Sequence, residues 1–299
     1  MKIYNCSNNH EYNDIILSLM ENSRMFKHRF VSKASSSELI ITNDYFSLDI
    51  KGIPIPKTKI MDSLICNPDL SMNDKEQIDA IEIADHVIFT SKAIKNNLFK
   101  LYPDIKIKDS SVILRISDKN PFKTNGGIIP DVETIIAVAN DWSLSEKRLD
   151  SLLEFISNIP QKLYLLGKCK EDVPNNVVKI EKFDDVTLHK ILMESQVMID
   201  LSYKDFSSYY VSKAIASGIP IIYTDSGGLS EIVQFGVIID DSQEIEKYSH
   251  IPSIDKMRLM IAFNEIRTNF KSLYKQDRKT HLAMITNYYN VFSKYEKRT

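Results

Sequence analysis

The sequence predicts an α/β protein made of two doubly wound parallel sheets that face each other across a cleft. Two observations support this prediction. Short apolar runs alternate with helical patterns along the 299 residues, and such alternation is typical of parallel strands covered by helices on both faces. Residues 118–130, which carry two prolines and two glycines, interrupt the alternation and form the best linker candidate.

Residues 1–125 are predicted to form the first domain. Strands are expected at 1–6, 38–43, 57–62, 86–90 and 111–116, and helices at 13–20, 73–85 and 92–101. Ser91 precedes the last of these helices. It is predicted as the N-cap, because a serine hydroxyl can accept a backbone N–H of the first turn.

Residues 126–275 are predicted to form the second domain, and the helix at 276–299 to return to the first. Strands are expected at 133–140, 162–167, 177–180, 197–202, 219–224 and 236–240. Helices are expected at 145–156, 187–194, 209–217, 253–275 and 278–296, with a short one after the glycine pair at 227–228. Ligands bind beyond the carboxyl ends of such strands. The loops after residues 140, 167, 202 and 224 are therefore predicted to carry the chemistry.

Charge and cysteine content narrow the function classes. The formal net charge is −2, so no global basic field is present to hold nucleic acid. Three dispersed cysteines form neither a disulfide framework nor a zinc pattern and suit a reducing compartment. With no apolar leader or membrane-spanning run, a cytoplasmic protein is expected. Residues 256–298 are basic: a solvated helical face is favoured, and a peripheral contact with an anionic membrane or acceptor is the alternative.

Several motifs of other enzyme classes do not occur in the sequence. No G-x-G stands among the eight glycines, which removes the dinucleotide fingerprint, and there is no P-loop. No two aspartates are two positions apart, so an Asp-x-Asp metal clamp is missing. The six histidines show no zinc-ligand spacing, and no G-x-S-x-G nucleophile turn occurs.

The densest pattern lies at residues 197–233, where a strand, a polar loop, a helix, a tight turn, a strand and a glycine pair follow one another. This segment resembles the donor-binding core of family 4 GT-B glycosyltransferases (group 1), which reads E-x(7)-E-A-x-A-x-G-x-P-V-I before a G-G-x-x-E helix start. The residues in register are Ala214, Ala216, Gly218, Pro220, Gly227, Gly228 and Glu231. The resemblance extends over about residues 84–233. Before that it is poor, and the N-terminal domain looks shortened.

The resemblance implies a GT-B fold of two Rossmann-like domains, with an acceptor domain first and a nucleotide-sugar donor domain second. It implies transfer of a hexose from a nucleoside-diphosphate sugar, such as a UDP-sugar, with retention of the anomeric configuration. The implied acceptor is a hydroxyl group of a glycan, a lipid or a protein. The nucleotide sugar is a substrate, so no cofactor is expected. No metal is expected either.

A diphosphate site is predicted from two elements. Gly227 and Gly228 open a helix ahead of Leu229, so bare backbone N–H groups and a positive dipole end would bind an anion. A plain strand-to-helix turn is the structural alternative. Lys147 would neutralise the departing diphosphate, the alternative being a solvated lysine. Arg148 is placed beside it as a donor-binding residue or as a surface residue.

Two residues occupy the positions of the family's glutamate pair. Asp205 stands for the first glutamate and would accept hydrogen bonds from the donor sugar, or else cap the helix that follows. Lys213 stands for the second, which in the family grips the nucleotide ribose. A lysine reverses that charge and cannot accept a hydrogen bond. Lys213 is expected either to pair with Asp205 or to reach a phosphate.

Other candidates lie at the same edge of the second sheet. Glu231 matches the family glutamate of the phosphate-loop helix, or suits the helix dipole. Ser226 and Thr224 would donate to phosphate oxygens or satisfy the turn. Phe183 is a candidate wall for the base, the alternative being a core aromatic residue. Gly167, which ends a predicted strand, is also included among the donor-binding residues.

The first domain supplies weaker candidates. Asp62, after the third predicted strand, corresponds to the place where the family often has a histidine or acid beside the reacting carbon. His10 lies in the first loop, and His86 is interpreted as structural.

A rival hypothesis is a catalytically inactive GT-B module that binds a sugar, a nucleotide or a partner protein, motivated by Lys213 and the shortened first domain. A glycosyltransferase acting on nucleic acid is a third hypothesis, which the near-neutral first domain disfavours.

Overall fold

The computed structural model contains two α/β units. It describes residues 1–6, 15, 19–20, 23–42, 46, 48–61, 72–115, 132–205, 208–233, 235–241, 251–273 and 278–296. One unit comprises Met1–Ile116 and Lys279–Thr299, and the other comprises Ser117–Arg278. The predicted boundary at 125/126 falls in a stretch outside the described residues.

The first unit is built on a six-stranded parallel sheet. Its strands are β1 (Lys2–Asn5), β2 (Arg29–Phe30), β3 (Leu39–Thr42), β4 (Lys57–Met61), β5 (His86–Phe89) and β6 (Ser110–Val112). They lie in the order β2-β1-β3-β4-β5-β6, and every neighbouring pair is parallel. The helices are α1 (Leu48–Lys51), α2 (Met72–Ile83) and α3 (Lys92–Leu101). Strand β2 and helix α1 were not predicted, whereas Ser91 does cap α3 by accepting the Ile94 N–H at 3.1 Å.

The second unit holds another six-stranded parallel sheet. Its strands are β7 (Thr134–Asp141), β8 (Lys162–Lys168), β9 (Val177–Ile180), β10 (Val197–Asp200), β11 (Ile221–Thr224) and β12 (Gly236–Ile239). Their order is β12-β11-β10-β7-β8-β9, again with parallel neighbours. The helices are α4 (Leu149–Ile156), α5 (Asp185–Glu194), α6 (Tyr209–Ala216), α7 (Leu229–Ile232) and α8 (Lys256–Leu273). The prediction of two doubly wound α/β units is confirmed.

Each sheet is buried between helices, which explains the apolar strands of the sequence. Strands β10 and β11 are buried at every position, and the core of the second unit includes Phe155, Ile199 and Phe263. The last helix, α9 (Arg278–Ser293), contributes Ile285, Tyr288, Tyr289 and Phe292 to the core of the first unit. Burying such apolar surface stabilises each unit by roughly 25 cal/mol per Å².

Candidate functional site

The second sheet has a topological switch point between β7 and β10. Read from β9, its strands follow the order 9-8-7-10-11-12, so the crossovers from β7 and from β10 leave in opposite directions. In a doubly wound sheet this divergence opens a crevice beyond the carboxyl ends of the two strands, where ligands bind. Lys147 follows β7, and Asp205 follows β10.

Lys147 ends a single 3₁₀ turn, Ser145–Lys147, instead of lying inside one long helix as predicted. Its ammonium donates to Ser202 Oγ at 3.2 Å and lies 3.7 Å from Asp205 Oδ2. The backbone joins the same two loops, because the Tyr203 N–H donates to the Glu146 carbonyl at 2.8 Å. The structure thus brings together Lys147 and Asp205, two of the three residues that the sequence nominated for catalysis.

The charge of Lys147 is stabilised by its surroundings. Burial disfavours the ammonium, but the carboxylates of Asp205, Asp200 and Glu146 outweigh burial and raise the pKa of Lys147 above its ordinary value. The side chain keeps 23% of its surface exposed. Lys147 is therefore a permanent cation that a ligand can approach.

Asp205 does not cap the helix that follows it. That helix, α6, is capped by Ser208, whose hydroxyl accepts the Val211 N–H at 3.3 Å. The capping interpretation of Asp205 is wrong, because the helix begins at Tyr209, beyond the reach of an Ncap at 205. Its carboxylate instead lies beside Lys147 with 17% of the side chain exposed.

The loop after β10 is held by a frame of hydroxyl and carboxylate groups. Asp200 accepts the Ser202 N–H at 2.9 Å and the Ser208 hydroxyl at 3.5 Å. The Thr224 hydroxyl donates to the Ser202 carbonyl at 2.8 Å, which ties β11 to the same loop. Because Ser202 carries one of the contacts to Lys147, this frame fixes the position of the ammonium.

The glycine pair packs against the Asp205 backbone. A Cβ atom at Gly227 would lie 2.1 Å from the Asp205 carbonyl oxygen and 2.9 Å from its nitrogen. The Gly228 N–H donates to that same carbonyl at 2.9 Å. The expectation of bare N–H groups is therefore wrong for Gly228, whose donor is already used. The close approach explains why glycine is required at position 227.

The helix after the glycine pair is shorter than the anion-site prediction requires. Helix α7 has four residues, so few peptide dipoles add along its axis. Leu229 is buried, whereas its backbone N–H belongs to the first turn and has no intrahelical acceptor. Glu231 lies in the same turn with its N–H on the Gly228 carbonyl at 3.0 Å.

Both hydroxyl candidates of the β11 loop make internal contacts. Ser226 Oγ accepts the Lys204 N–H at 2.9 Å and lies 3.3 Å from Thr224 Oγ1. Lys204 has φ 53°, a left-handed conformation that a side chain disfavours. The Ser226 contact thus supports a strained turn next to Asp205.

Arg148 is buried, so the surface interpretation is wrong. Its guanidinium forms a two-pronged ion pair with Asp241, with distances of 2.6 and 3.1 Å. It also donates to the Leu201 carbonyl at 3.2 Å. The residue adopts φ 52° and ψ 45°, which ends the 3₁₀ turn before α4 begins. Arg148 therefore anchors the loop that presents Lys147.

Gly167 lies inside β8, one residue before the end of the strand, and its role here is close packing. Its φ of +115° is rarely adopted by residues with a side chain, and an added Cβ would lie 1.6 Å from the Ala139 carbonyl oxygen. Trp142 fills the neighbouring space and donates its indole N–H to the Leu166 carbonyl at 2.8 Å. Gly167 thus lets β7 and β8 approach at the edge that carries the site.

An aromatic group lies beside the switch point. The Phe183 ring, half-buried, is 6.0 Å from the Tyr210 ring. The Tyr210 hydroxyl donates to Asn140 Oδ1 at the end of β7. Tyr209 meets Tyr210 edge to face at 5.4 Å. Because the Phe183 ring is only half-buried, it is not a core residue. Its predicted contact with the nucleotide base stays a prediction.

Lys213 contacts a residue that the sequence analysis did not consider. It is buried, its ammonium lies 3.5 Å from Asp185 Oδ2, and it stands over the Tyr209 ring at 4.9 Å. Asp185 is the first residue of α5. The structure thus pairs Lys213 with Asp185 and pairs Asp205 with Lys147.

The candidates of the first unit lie mostly outside the described residues, which is the case for Asp62 and His10. His86 is fully buried at the start of β5. Its ring contacts Asp109 at 2.9 Å and Ser111 at 2.9 Å, and burial lowers its pKa. These contacts hold β5 and β6 together at the amino ends of the strands, away from the edge where ligands bind.

Sequence reasoning missed Ser202, Asp185, Tyr210 and Asp241. Ser202 could have been found, since it ends the strand predicted at 197–202, at the predicted ligand edge. The other three contact partners at separations of 28 to 93 residues, which no local pattern reveals.

Within the described ranges, no helix is long and apolar enough to cross a membrane.

Comparison with known proteins identifies the class of fold. No protein-family model matches the sequence, and no curated protein is significantly similar to it. Solved structures do match. HepE from Anabaena, in complex with UDP and glucose, has a TM-score of 0.69 at 11% identity, covering 98% of this chain and 100% of that chain.

Two further structures agree. The lipopolysaccharide outer core galactosyltransferase WaaB, in its apo form, has a TM-score of 0.66 at 12% identity and covers 98% of this chain and 100% of that chain. Sucrose-phosphate synthase from Thermosynechococcus elongatus has a TM-score of 0.60 at 17% identity, with coverage of 87% and 75%. The chain has the GT-B fold of these glycosyltransferases, which confirms the resemblance predicted from the sequence.

Proposed function

We propose that the protein transfers a sugar from a nucleoside-diphosphate sugar to an acceptor hydroxyl, with retention of configuration. The observation that carries the proposal is the position of Lys147. Its ammonium lies at the switch point of the second sheet between Ser202 and Asp205, where ligands of doubly wound sheets bind. UDP is proposed as the nucleotide, since HepE was solved with UDP and glucose.

Lys147 is proposed to bind the departing diphosphate and to neutralise its charge. An ammonium donates three hydrogen bonds, and its contacts within the described part of the chain are with Ser202 and Asp205. One donor thus remains for a phosphate oxygen, on which negative charge grows in the transition state. The proposal includes no metal ion, because this cation supplies the neutralising charge.

Asp205 is assigned to the donor sugar. A carboxylate oxygen next to an ammonium accepts hydrogen bonds from sugar hydroxyls, while the ion pair keeps its charge compensated. The backbone amides of Gly227 and Leu229 are assigned to the second phosphate, and Arg148 is assigned the support of the loop that carries Lys147. Asp62 remains the proposed group beside the reacting carbon.

The acceptor is proposed to be a glycan, lipid or protein hydroxyl. A lipid acceptor would suit the exposed residues Met257 and Ile261, which are 61% and 64% exposed and one turn apart on α8. Arg258 and Lys256 lie beside them and would favour an anionic surface. Flotation with anionic and neutral vesicles tests this part, and equal recovery with both would contradict it.

The proposal is tested by incubating the protein with a panel of UDP-, GDP- and ADP-sugars and detecting the released nucleoside diphosphate. The expected result is release from a UDP-sugar, lowered about 100-fold to 1,000-fold by Lys147→Ala, as for loss of one group that stabilises transition-state charge. Lys190→Ala, an exposed lysine on α5, is the matched control and should retain wild-type turnover.

A catalytically inactive GT-B module is the second candidate. It is favoured by Lys213, a buried cation at the position of the family's ribose-binding glutamate. Binding of UDP-sugars without any product, with or without added acceptors, would support the module. Release of UDP that depends on Lys147 would exclude it.

A further inference from the structure

The carboxylate of Asp185 is held in place but remains open to solvent. The Tyr209 hydroxyl donates its one proton to this carboxylate and lies 2.9 and 3.1 Å from its two oxygens. The Lys213 ammonium lies 3.5 Å from one of them, and 69% of the Asp185 side chain is exposed. An exposed aspartate normally moves among rotamers, whereas these contacts fix Asp185 in one orientation.

Helix capping does not account for this arrangement. Helix α5 is already capped by Asp184, whose carboxylate accepts the Thr187 N–H at 2.8 Å. An acid at the first helical position is worth only about 0.3–1 kcal/mol through the dipole, and it needs neither a tyrosine nor a buried lysine. The residues that hold Asp185 come from another helix, α6, which indicates a role at the surface shared by the two helix starts.

The supporting residues complement the carboxylate in charge and in hydrogen bonding. Lys213 is buried, and its ammonium lies 3.5 Å from Asp185 Oδ2. Burial raises the pKa of the Tyr209 phenol, and the nearby Asp185 carboxylate raises it further. Tyr209 therefore stays a neutral donor, and Asp185 presents its remaining lone pairs to solvent.

Asp185 lies at the same edge of the sheet as Lys147. The contacts run from Asp185 through Tyr209 and Tyr210 to Asn140, which ends β7. Helix α5 follows β9, and β9 is two strand positions from β7. At about 4.8 Å per strand, roughly 10 Å separates the two loops. A nucleoside diphosphate that places its phosphates at Lys147 would extend its ribose toward Asp185.

We infer that Asp185 accepts hydrogen bonds from the 2′- and 3′-hydroxyls of the nucleotide ribose and thereby selects ribonucleotides. This inference rests on the proposed function. A carboxylate is an acceptor with two oxygens and about four lone-pair sites, whereas the vicinal hydroxyls of ribose are paired donors. Lys213, which cannot accept a hydrogen bond, serves as a positioning residue for the carboxylate.

The inference is tested by titration calorimetry with UDP and 2′-deoxy-UDP. Hydrogen bonds to charged groups contribute enough for about a tenfold to a hundredfold change in affinity. The wild-type protein should bind UDP at least about tenfold more tightly than 2′-deoxy-UDP. Asp185→Asn should weaken UDP binding by a similar factor and bring the two affinities to within about threefold of each other.

Two variants separate this role from general charge or folding effects. Glu181→Gln removes one carboxylate from the exposed loop between β9 and α5 and should leave the preference for UDP unchanged. Tyr209→Phe removes the donor that orients Asp185 and should reduce the preference without abolishing it. Far-UV circular dichroism and melting temperature establish that each variant is folded.

Each result has a distinct meaning. Equal affinities of the wild-type protein for UDP and 2′-deoxy-UDP, or an undiminished preference in Asp185→Asn, would overturn the ribose assignment and leave the sugar-transfer proposal standing. If the wild-type protein bound none of UDP, GDP and ADP, the proposed function would be overturned together with the inference that rests on it.

Discussion

Two adjacent residues form two ion pairs of opposite character at the carboxyl edge of the second sheet. Arg148 binds Asp241 through two contacts of 2.6 and 3.1 Å, and both side chains are less than 10% exposed. Lys147 lies 3.7 Å from Asp205, and its side chain is 23% exposed. The first pair is short, two-pronged and closed to solvent, whereas the second is long and open.

The difference shows how one loop serves both support and chemistry. A planar guanidinium suits a buried two-pronged pair, while an ammonium on a flexible stem can change partners. Arg148 adopts a left-handed conformation, which costs roughly 1–3 kcal/mol and is maintained by its contacts with Asp241 and Leu201. We interpret the closed pair as the support of the loop and the open pair as the part that meets a substrate.

The largest expected effect comes from breaking the closed pair. Asp241→Ala would leave the Arg148 guanidinium buried without its carboxylate, and removing one partner of a buried pair costs about 3–5 kcal/mol of unfolding free energy. Urea denaturation followed by circular dichroism measures this loss. Asp205→Ala should cost less than about 1 kcal/mol, as for partly exposed pairs. Equal losses in the two variants would contradict the distinction.

The next effect concerns activity rather than stability. Lys147→Ala should reduce kcat/KM for a UDP-sugar by a factor that corresponds to about 3–4 kcal/mol of transition-state stabilisation, while the free energy of unfolding changes by less than about 1 kcal/mol. Steady-state kinetics and urea denaturation on the same preparation measure both. A variant as unstable as Asp241→Ala would show that Lys147 supports the fold instead.

A substitution at Gly227, which packs against the backbone of Asp205 in the open pair, tests how closely that pair depends on its loop. Gly227→Ala would place a Cβ atom 2.1 Å from the Asp205 carbonyl oxygen, so the Asp205 backbone must shift. Overpacking of this kind costs about 1–3 kcal/mol, and the melting temperature and UDP affinity should fall together. Gly52→Ala is the matched control, because nothing lies within 4 Å of its added Cβ atom.

The smallest expected effect is on pH dependence. The pKa of Lys147 is raised above its ordinary value of 10.5, because nearby carboxylates outweigh burial. A raised pKa means that the charge, and the stability it contributes, is fully present below the ordinary pKa and is lost only as pH rises through the higher folded value. The contribution of Lys147 to UDP binding, measured as the ratio of the UDP affinities of the wild-type protein and Lys147→Ala, should therefore stay flat from pH 7 to about pH 9.5. A decline centred near pH 8 would indicate a different cation.

The sequence predicted the central strands of the second unit well because β10 and β11 are buried at every position and therefore read as continuous apolar runs. Residues 219–224 were predicted as a strand, and β11 spans Ile221–Thr224. Strand β2 was missed because it has only two residues, Arg29 and Phe30. Its pairing with β1 is set by the sheet and not by a local apolar run.

The site was predicted in part. Lys147 and Asp205 follow neighbouring strands, so strand order alone brings them together. The break at Arg148 could not be predicted, because its left-handed conformation depends on Asp241, 93 positions away. The assignment of Asp205 as a cap failed because Ser208 offers a hydroxyl one residue before α6. The Gly228 N–H is occupied by a carbonyl whose position depends on the fold of the preceding loop.

The central claim is that the Lys147 ammonium binds the diphosphate of the donor. Calorimetric titration of UDP and of uridine into the wild-type protein and Lys147→Ala tests it most directly, since only UDP carries phosphates. We predict that the substitution weakens UDP binding by about tenfold to a hundredfold and leaves uridine binding unchanged. Equal UDP affinities in the two proteins, or a parallel loss for uridine, would contradict the claim.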